Sequence, residues 1–300
     1  MDFKKKHKLI IAGVHKGAST SLYEYLIHHA KICAGKTKEV HYYTPLRYGK
    51  DLAPLDDYIA EFKNCFNEKY VLDASPSYLY GDTIPSRIKN DLNNVKIIVI
   101  LRNPSERFIS FYLFLKSEFR IPENVTFKDF LKKSYNLKDH EDKDDVYHRA
   151  SREGVYADYL DNWFKIFGNN FKVIFFDDLK NQPKSVMQDI CHWLKISDNV
   201  YEDNSIFTIR NQTRQSKSKL VYKISSFLNN KFEFFFRKNP AVKDKLKSLY
   251  FAINGRNASE EISIETKQEL DKLYLNENKR LAHLLLQQGY SNLPSWVKEL

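Results

Sequence analysis

Lys8-Leu9-Ile10-Ile11-Ala12-Gly13-Val14-His15-Lys16-Gly17-Ala18-Ser19-Thr20-Ser21 is the stretch on which the fold turns. Lys8 to Gly13 is a short apolar run of the kind a strand buried on both faces shows, and Ser19 to His29 carries the pattern of a helix behind it. The loop between them is built of small residues. Gly17 and its neighbours let backbone N–H groups approach an anion, the helix start adds partial positive charge, and Lys16 adds a full one. Ser19, Thr20 and Ser21 offer hydroxyl donors and a helix cap. A Walker A loop ends in Gly-Lys-Ser/Thr with its hydroxyl on magnesium; here Lys16 precedes Gly17, so the lysine stands on the strand side of the turn. The alternative for this loop is a capped helix start with a surface lysine.

Similar units recur downstream. Tyr70–Asp73 reads as a second strand, and Lys96–Leu101 as a third with the helix Ser105–Lys116 behind it. Phe171–Phe176 reads as a fourth strand, after a helix from about Tyr156 to Phe167. Apolar runs alternating with helices predict an α/β fold, a three-layer P-loop-like architecture with a central parallel sheet flanked by helices. Residues 1–300 are expected to form one domain, with an α/β core over about 8–195 and a mostly helical part over about 216–300. In that last part Leu270, Leu273, Tyr274, Leu281, Leu284 and Leu285 make one helical stripe, expected to be core. Arg102, at the end of the third strand, is suited to fork-like pairing with a phosphate, and Ser110 lies two helical turns beyond; Asn103 or Ser105 could cap that helix. A salt bridge from Arg102 to Glu106 is the competing reading. Two anion sites at the ends of parallel strands suit a ligand phosphorylated at both ends.

Lys and Arg exceed Asp and Glu by 48 − 38 = 10, which favours anionic partners without choosing among them. Cys33, Cys65 and Cys191 are odd in number, far apart and without a C-x-x-C, a pattern expected of a reduced protein with no zinc site. Leu9–Ala12 is too short for a signal-peptide core, and no other segment is long enough to span a bilayer. The chain is therefore expected to be soluble and cytoplasmic. Lys138–Asp145 reads as a charged loop that lacks the Gly and Glu of a calcium site, and no metal is expected.

The loop 13–22 resembles the 5′-phosphosulfate loop of sulfotransferases that use 3′-phosphoadenosine-5′-phosphosulfate (PAPS), and Arg102…Ser110 resembles their 3′-phosphate motif. Lys38-Glu39-Val40-His41-Tyr42-Tyr43 is similar to the Glu-x-His-Phe-Phe segment of the heparan sulfate N- and 3-O-sulfotransferases, and Asp73-Ala74-Ser75-Pro76-Ser77-Tyr78 to their Lys-Thr-Pro-Ala-Tyr stretch. Gly154-Val155-Tyr156, Leu160 and Trp163 look like the helix before the fourth strand in carbohydrate and bacterial members. The resemblance runs in order over about 8–195 and is faint beyond Ile196.

What it implies is a sulfotransferase carrying PAPS, with product PAP and no metal. Lys16, Gly17, Ala18, Ser19 and Thr20 would hold the 5′-phosphosulfate, Arg102 and Ser110 the 3′-phosphate, and Glu39 would be the general base. Ala74 departs from the family, which has a lysine there. His41 is the rival base, or else a residue that orients Glu39. His15 could shape the turn or reach the substrate; Asp73 and Ser75 could touch the acceptor, or cap a turn. Arg214 and Lys217, in a basic stretch, could close over the nucleotide or be an exposed loop. The Phe-rich segment 232–236 is by default core, with an acceptor pocket or a membrane surface as alternatives. The acceptor would be a saccharide or a small natural product bearing a hydroxyl or an amine; no nucleic acid is expected. The rivals are a P-loop kinase or hydrolase, a basic binding module for glycan or nucleic acid, and a sulfotransferase fold without activity.

Overall fold

The computed structural model describes residues 3–135, 145–207 and 260–298, with short pieces between 208 and 259 that include 214–216 and 255–257. Lys138–Asp144, Lys217 and the 232–236 segment lie outside the described residues.

Five strands make the expected parallel sheet: β1 (His7–Gly13), β2 (Ile32–Ala34), β3 (Tyr70–Asp73), β4 (Val95–Leu101) and β5 (Phe171–Phe175), in the order β2-β3-β1-β4-β5. Four match the apolar runs. β2 was not anticipated: three residues directly after a helix are too few to show a period. In β1, Leu9 and Ile11 enter the cluster on one face of the sheet, while Ile10 and Ala12 enter the other. One face is covered by α1 (Ser19–Ile27), through Leu22, Tyr23 and Leu26, and by α9 (Pro183–Leu194), through Met187, Ile190 and Leu194. The other is covered by α3 (Ile84–Asp91), α7 (Ala157–Phe167) and α10 (Ile264–Gln287). Further helices of the described parts include α2 (Leu55–Ala60), α4 (Pro104–Ser117), α5 (Phe127–Tyr135), α6 (Val146–Arg152), α8 (Phe176–Asn181) and α11 (Ser295–Lys298).

The stripe on α10 is core, as expected: Leu270, Tyr274, Leu281 and Leu285 are buried, and Leu273 and Leu284 pack against the core partly exposed. The C-terminal third also holds an unexpected antiparallel pair, β6 (Arg214–Ser216) with β7 (Gly255–Asn257). Among the described residues no helix is long and apolar enough to cross a membrane.

The strand order turns at β1. The chain goes one way to β3 and β2 and the other way to β4 and β5, so a crevice opens between the ends of β1 and β4, where open α/β sheets bind ligands.

Behind the β1 loop lies a buried charge cluster. Glu153, just past α6, is 1% exposed and pairs with Arg47 (2.8 Å), Arg149 (3.0 Å), His15 Nδ1 (2.9 Å) and Arg107 (3.8 Å). Burial alone would raise its carboxyl pKa, yet His15, Arg149 and Arg47 outweigh burial and hold it well below the usual carboxylate range. His15 is thereby tied to α6, and its ring stacks on Tyr80, whose hydroxyl oxygen accepts the His15 N–H at 3.3 Å.

The cysteine expectation is corrected. Cys33, in β2, and Cys65 form a disulfide across 32 residues of sequence, and Cys191 is free and buried. Sequence separation hid the pair, because the fold returns the chain to the β2 edge after α2. Such bridges belong to oxidising surroundings, so the cysteine argument for a cytoplasmic location falls away.

Two outcomes follow. Thiol titration of the denatured, unreduced chain should count one thiol, rising to three after reduction. Glu153→Gln should lower stability by about 3 kcal/mol in urea unfolding at neutral pH, because it leaves buried guanidinium charge uncompensated. A carboxylate with a depressed folded pKa stabilises above its unfolded pKa, so that difference should shrink as pH falls below the ordinary carboxylate range. A loss under about 0.5 kcal/mol at neutral pH would contradict this role for Glu153.

Candidate active site

The β1–α1 loop forms a cradle. Lys16 (φ 65°) and Ala18 (φ 71°) are left-handed, which folds the loop back on itself. Gly17 donates its N–H to Val14 O at 3.1 Å. A Cβ on Gly17 would lie 2.7 Å from Val14 Cγ2 and 2.8 Å from Ile100 O, so the tight turn requires glycine. The helix cap expected from Ser19–Ser21 is not observed: Ala18 is the N-cap, and no side chain caps α1. The N–H groups of the first turn therefore remain available to a ligand.

Lys16 Nζ stands 4.4 Å from the centroid of Phe114 on α4. Burial, then the charge of Arg102, brings its pKa down to about 8, with Glu118 and Glu39 acting in the opposite sense. Phe114 and Glu118 had no motif to reveal them; they reach the site because α4 runs back over the cradle.

Arg102, at the end of β4, donates from NH1 to Lys16 O at 3.2 Å, which joins the two loops. Its guanidinium lies 4.4 Å from the Phe176 ring, and Tyr156 donates its hydroxyl to Arg102 O at 2.8 Å. Arg102 also pairs with Glu106 at 3.3 Å, so the competing reading holds alongside the cradle contact. Asn103 caps α4, its side chain accepting from Ser105 N and Glu106 N at 2.9 and 3.4 Å. Ser110 is half-buried on α4.

Glu39 sits on the loop after β2, with its side chain 36% exposed. One oxygen meets His41 Nε2 at 3.2 Å and the other Lys38 Nζ at 2.9 Å. Burial would raise its pKa, but the bonds from His41 and Lys38 win and hold it at about 2. His41 (φ 56°) is steadied at Nδ1 by Ser77 and Thr44, each at 3.3 Å. Its ring thus lies between Glu39 at Nε2 and the two hydroxyls at Nδ1.

Asp73 and Ser75 are buried, in keeping with the structural alternative for them. They are 1% and 0% exposed. Asp73 accepts from Ser75 Oγ (2.6 Å) and Tyr78 OH (2.9 Å), and burial pushes its pKa up to about 6. Ser75 Oγ in turn accepts the His41 N–H at 3.0 Å, and Ala74 donates its N–H to Lys38 O at 3.2 Å. The stretch 73–75 thus braces the loop that carries Glu39. This is the structural alternative for the pair; residue type alone leaves both open, because a polar pair at a strand end looks alike whether it faces solvent or the next loop.

Lys38 is the residue the sequence reading missed. Its ammonium bridges Thr20 Oγ1 in the cradle (2.8 Å) and Glu39 Oε1 (2.9 Å). A lysine beside a candidate base has no spacing signal of its own. Arg214 falls in β6, which runs beside α4, and not in the loop expected there.

Comparison with known proteins bears on this geometry. Residues 6–260 match the family described as "Sulfotransferase domain". Human heparan sulfate glucosamine 3-O-sulfotransferase 5 is 26% identical over 202 residues, which is 67% of this chain and 56% of that protein. The Drosophila melanogaster bifunctional heparan sulfate N-deacetylase/N-sulfotransferase is 24% identical over 315 residues, 97% of this chain but 27% of its own length. The chain thus spans little more than half, or less, of the length of these relatives. A sulfotransferase from Alicyclobacillus acidocaldarius shares the fold with a TM-score of 0.67 at 22% identity, covering 97% of this chain and 98% of its own. Mouse sulfotransferase SULT7A1, solved in complex with PAP, does so with a TM-score of 0.51 at 16% identity, covering 93% and 86%. With the family match running from β1 to beyond β7, this chain belongs to the sulfotransferase domain family.

Proposed function

We propose that the chain transfers a sulfuryl group from PAPS to a hydroxyl or amine of a saccharide or small natural product, with Glu39 as the general base. The observation that carries this reading is the bridge Arg102–Lys16 O on one side of the cradle and Lys38–Thr20 on the other, which gathers two anion sites and one carboxylate around a single crevice.

The residues fit a doubly phosphorylated donor. Uncapped N–H groups at the start of α1, the glycine-tight turn and Lys16 suit the 5′-phosphosulfate; Arg102 and Ser110 suit the 3′-phosphate. PAPS, when bound, supplies the activated sulfur–oxygen bond. In the transfer, the bond between sulfur and the phosphate oxygen breaks with its electron pair leaving on the phosphate, and a bond forms from the acceptor oxygen or nitrogen to sulfur. Glu39 accepts the acceptor's proton, and His41 holds the carboxylate in position. Lys16 offsets the charge that grows on the leaving phosphate, in a site where burial strengthens its field. Alignment of the reacting atoms by the cradle and the Glu39 loop supplies much of the remaining rate. Support for a saccharide acceptor comes from the heparan sulfate relatives.

Titration calorimetry with PAP should show binding without added metal, and Arg102→Ala should weaken it about tenfold or more. Glu39→Gln should lower turnover at least 100-fold and leave PAP affinity within about threefold, since the base is worth about 10²–10⁴ in rate. Binding of magnesium-ATP in place of PAP would refute the reading, and unimpaired Glu39→Gln turnover would move the base to His41.

A further inference from the structure

Glu39 poses a chemical difficulty. A carboxylate held at about 2 is a weak base at neutral pH, because general-base catalysis works best with a pKa near the working pH. Three charged or titratable groups act around it: Lys38 and His41 bond it directly, and Lys16 faces it from the cradle. His41 is fixed by Ser77 and Thr44. Lys16 is held at the far side against Phe114.

Lys38 differs from both. Its backbone is anchored through Ala74 N–H to Lys38 O, but its ammonium sits on two partners at once, one in the donor cradle and one on the base. An ammonium has three N–H donors, and Thr20 and Glu39 account for two. Thr20 belongs to the loop that receives the donor's charged end. An anion entering there competes with Glu39 for the same cation, and a sulfuryl oxygen is an acceptor of the kind Thr20 and Glu39 already are.

We infer that Lys38 is a second catalytic cation that passes from Glu39 to the sulfuryl oxygens when the donor binds, so that the base is released only in a loaded site. The inference rests on the PAPS reading above and gives Lys38 a part in the transfer that the reading leaves unassigned. Its consequence is a base whose strength depends on whether the donor is bound. Without donor, the carboxylate is clamped; with donor, the clamp becomes a charge stabilising the transferred group, and Glu39 regains basicity toward an acceptor.

The test compares PAPS and PAP, which differ by the sulfuryl group alone, by calorimetry without acceptor, in the native chain, Lys38→Met and Lys38→Arg. In Lys38→Met the ratio of PAPS to PAP affinity should fall about tenfold, with PAP affinity itself within about threefold of native. Lys38→Arg should restore the ratio to within about threefold. In turnover, Lys38→Met should lower kcat about 100-fold. The acid limb of its kcat/KM profile should move up in pH, because the free enzyme's Glu39 loses one of the two bonds that depress it. A merely tethering lysine would lower stability and raise the acceptor KM yet leave the PAPS-to-PAP ratio alone. That unchanged ratio, with PAP still bound, overturns the role of Lys38 and spares the sulfotransferase reading. Absence of PAP binding in the native chain sinks both.

Discussion

The N–H groups in the first turn of α1 need an acceptor, and Ala18, the residue at the cap position, has no side chain to give one. Much of the surrounding structure can be understood from that constraint. The helix begins at the end of β1, which is central in the sheet, so its positive end lies where the strand order turns. Gly17 closes the turn against Ile100 O, and Arg102 bonds Lys16 O, so β4 helps to shape the loop that β1 supplies. Glu153 secures the loop from behind through His15. A cradle held on three sides is preorganised for an anion, and preorganised donors need little rearrangement as charge develops on a bound group.

Lys16, Arg102 and Lys38 bring positive charge to one crevice, and each is restrained by a different device: an aromatic face, a backbone carbonyl or a carboxylate. Burial, with repulsion from Arg102 and Lys38 added to it, lowers the Lys16 pKa, which makes the empty site receptive to an anion. The carboxylate is tuned the other way. Glu39 is held down by His41 and Lys38, while the buried Asp73 a short distance along the fold is pushed up to about 6 and serves as a brace. Of these two carboxylates the partly exposed one is the proposed base, and the buried one shapes the loop that presents it.

The sheet was legible where strands are buried on both faces, because Leu9–Ala12, Ile97–Leu101 and Val173–Phe175 form continuous apolar runs. β2 escaped because three residues hold no period, and β6 and β7 because their pairing spans some forty residues. The cradle and Arg102 were legible because strand-loop-helix units place their loops at one sheet edge. Lys38, Glu153 and the Cys33–Cys65 bridge were not, since each acts through a contact made by the chain returning from far away in sequence. Asp73 and Ser75 were found with two readings left open, and their burial selects the brace, a distinction that residue type does not encode.

In the proposed site one crevice, between the ends of β1 and β4, holds both phosphates of the donor product with Glu39 at its mouth. A crystal structure of the chain with PAP tests this most directly. The 5′-phosphate is expected on the N–H groups of residues 17–20 and Lys16, the 3′-phosphate on Arg102 and Ser110, and the Glu39 carboxylate facing the 5′ end. PAP bound elsewhere on the chain, or seated in the crevice with its 5′ end turned away from Glu39, would contradict it.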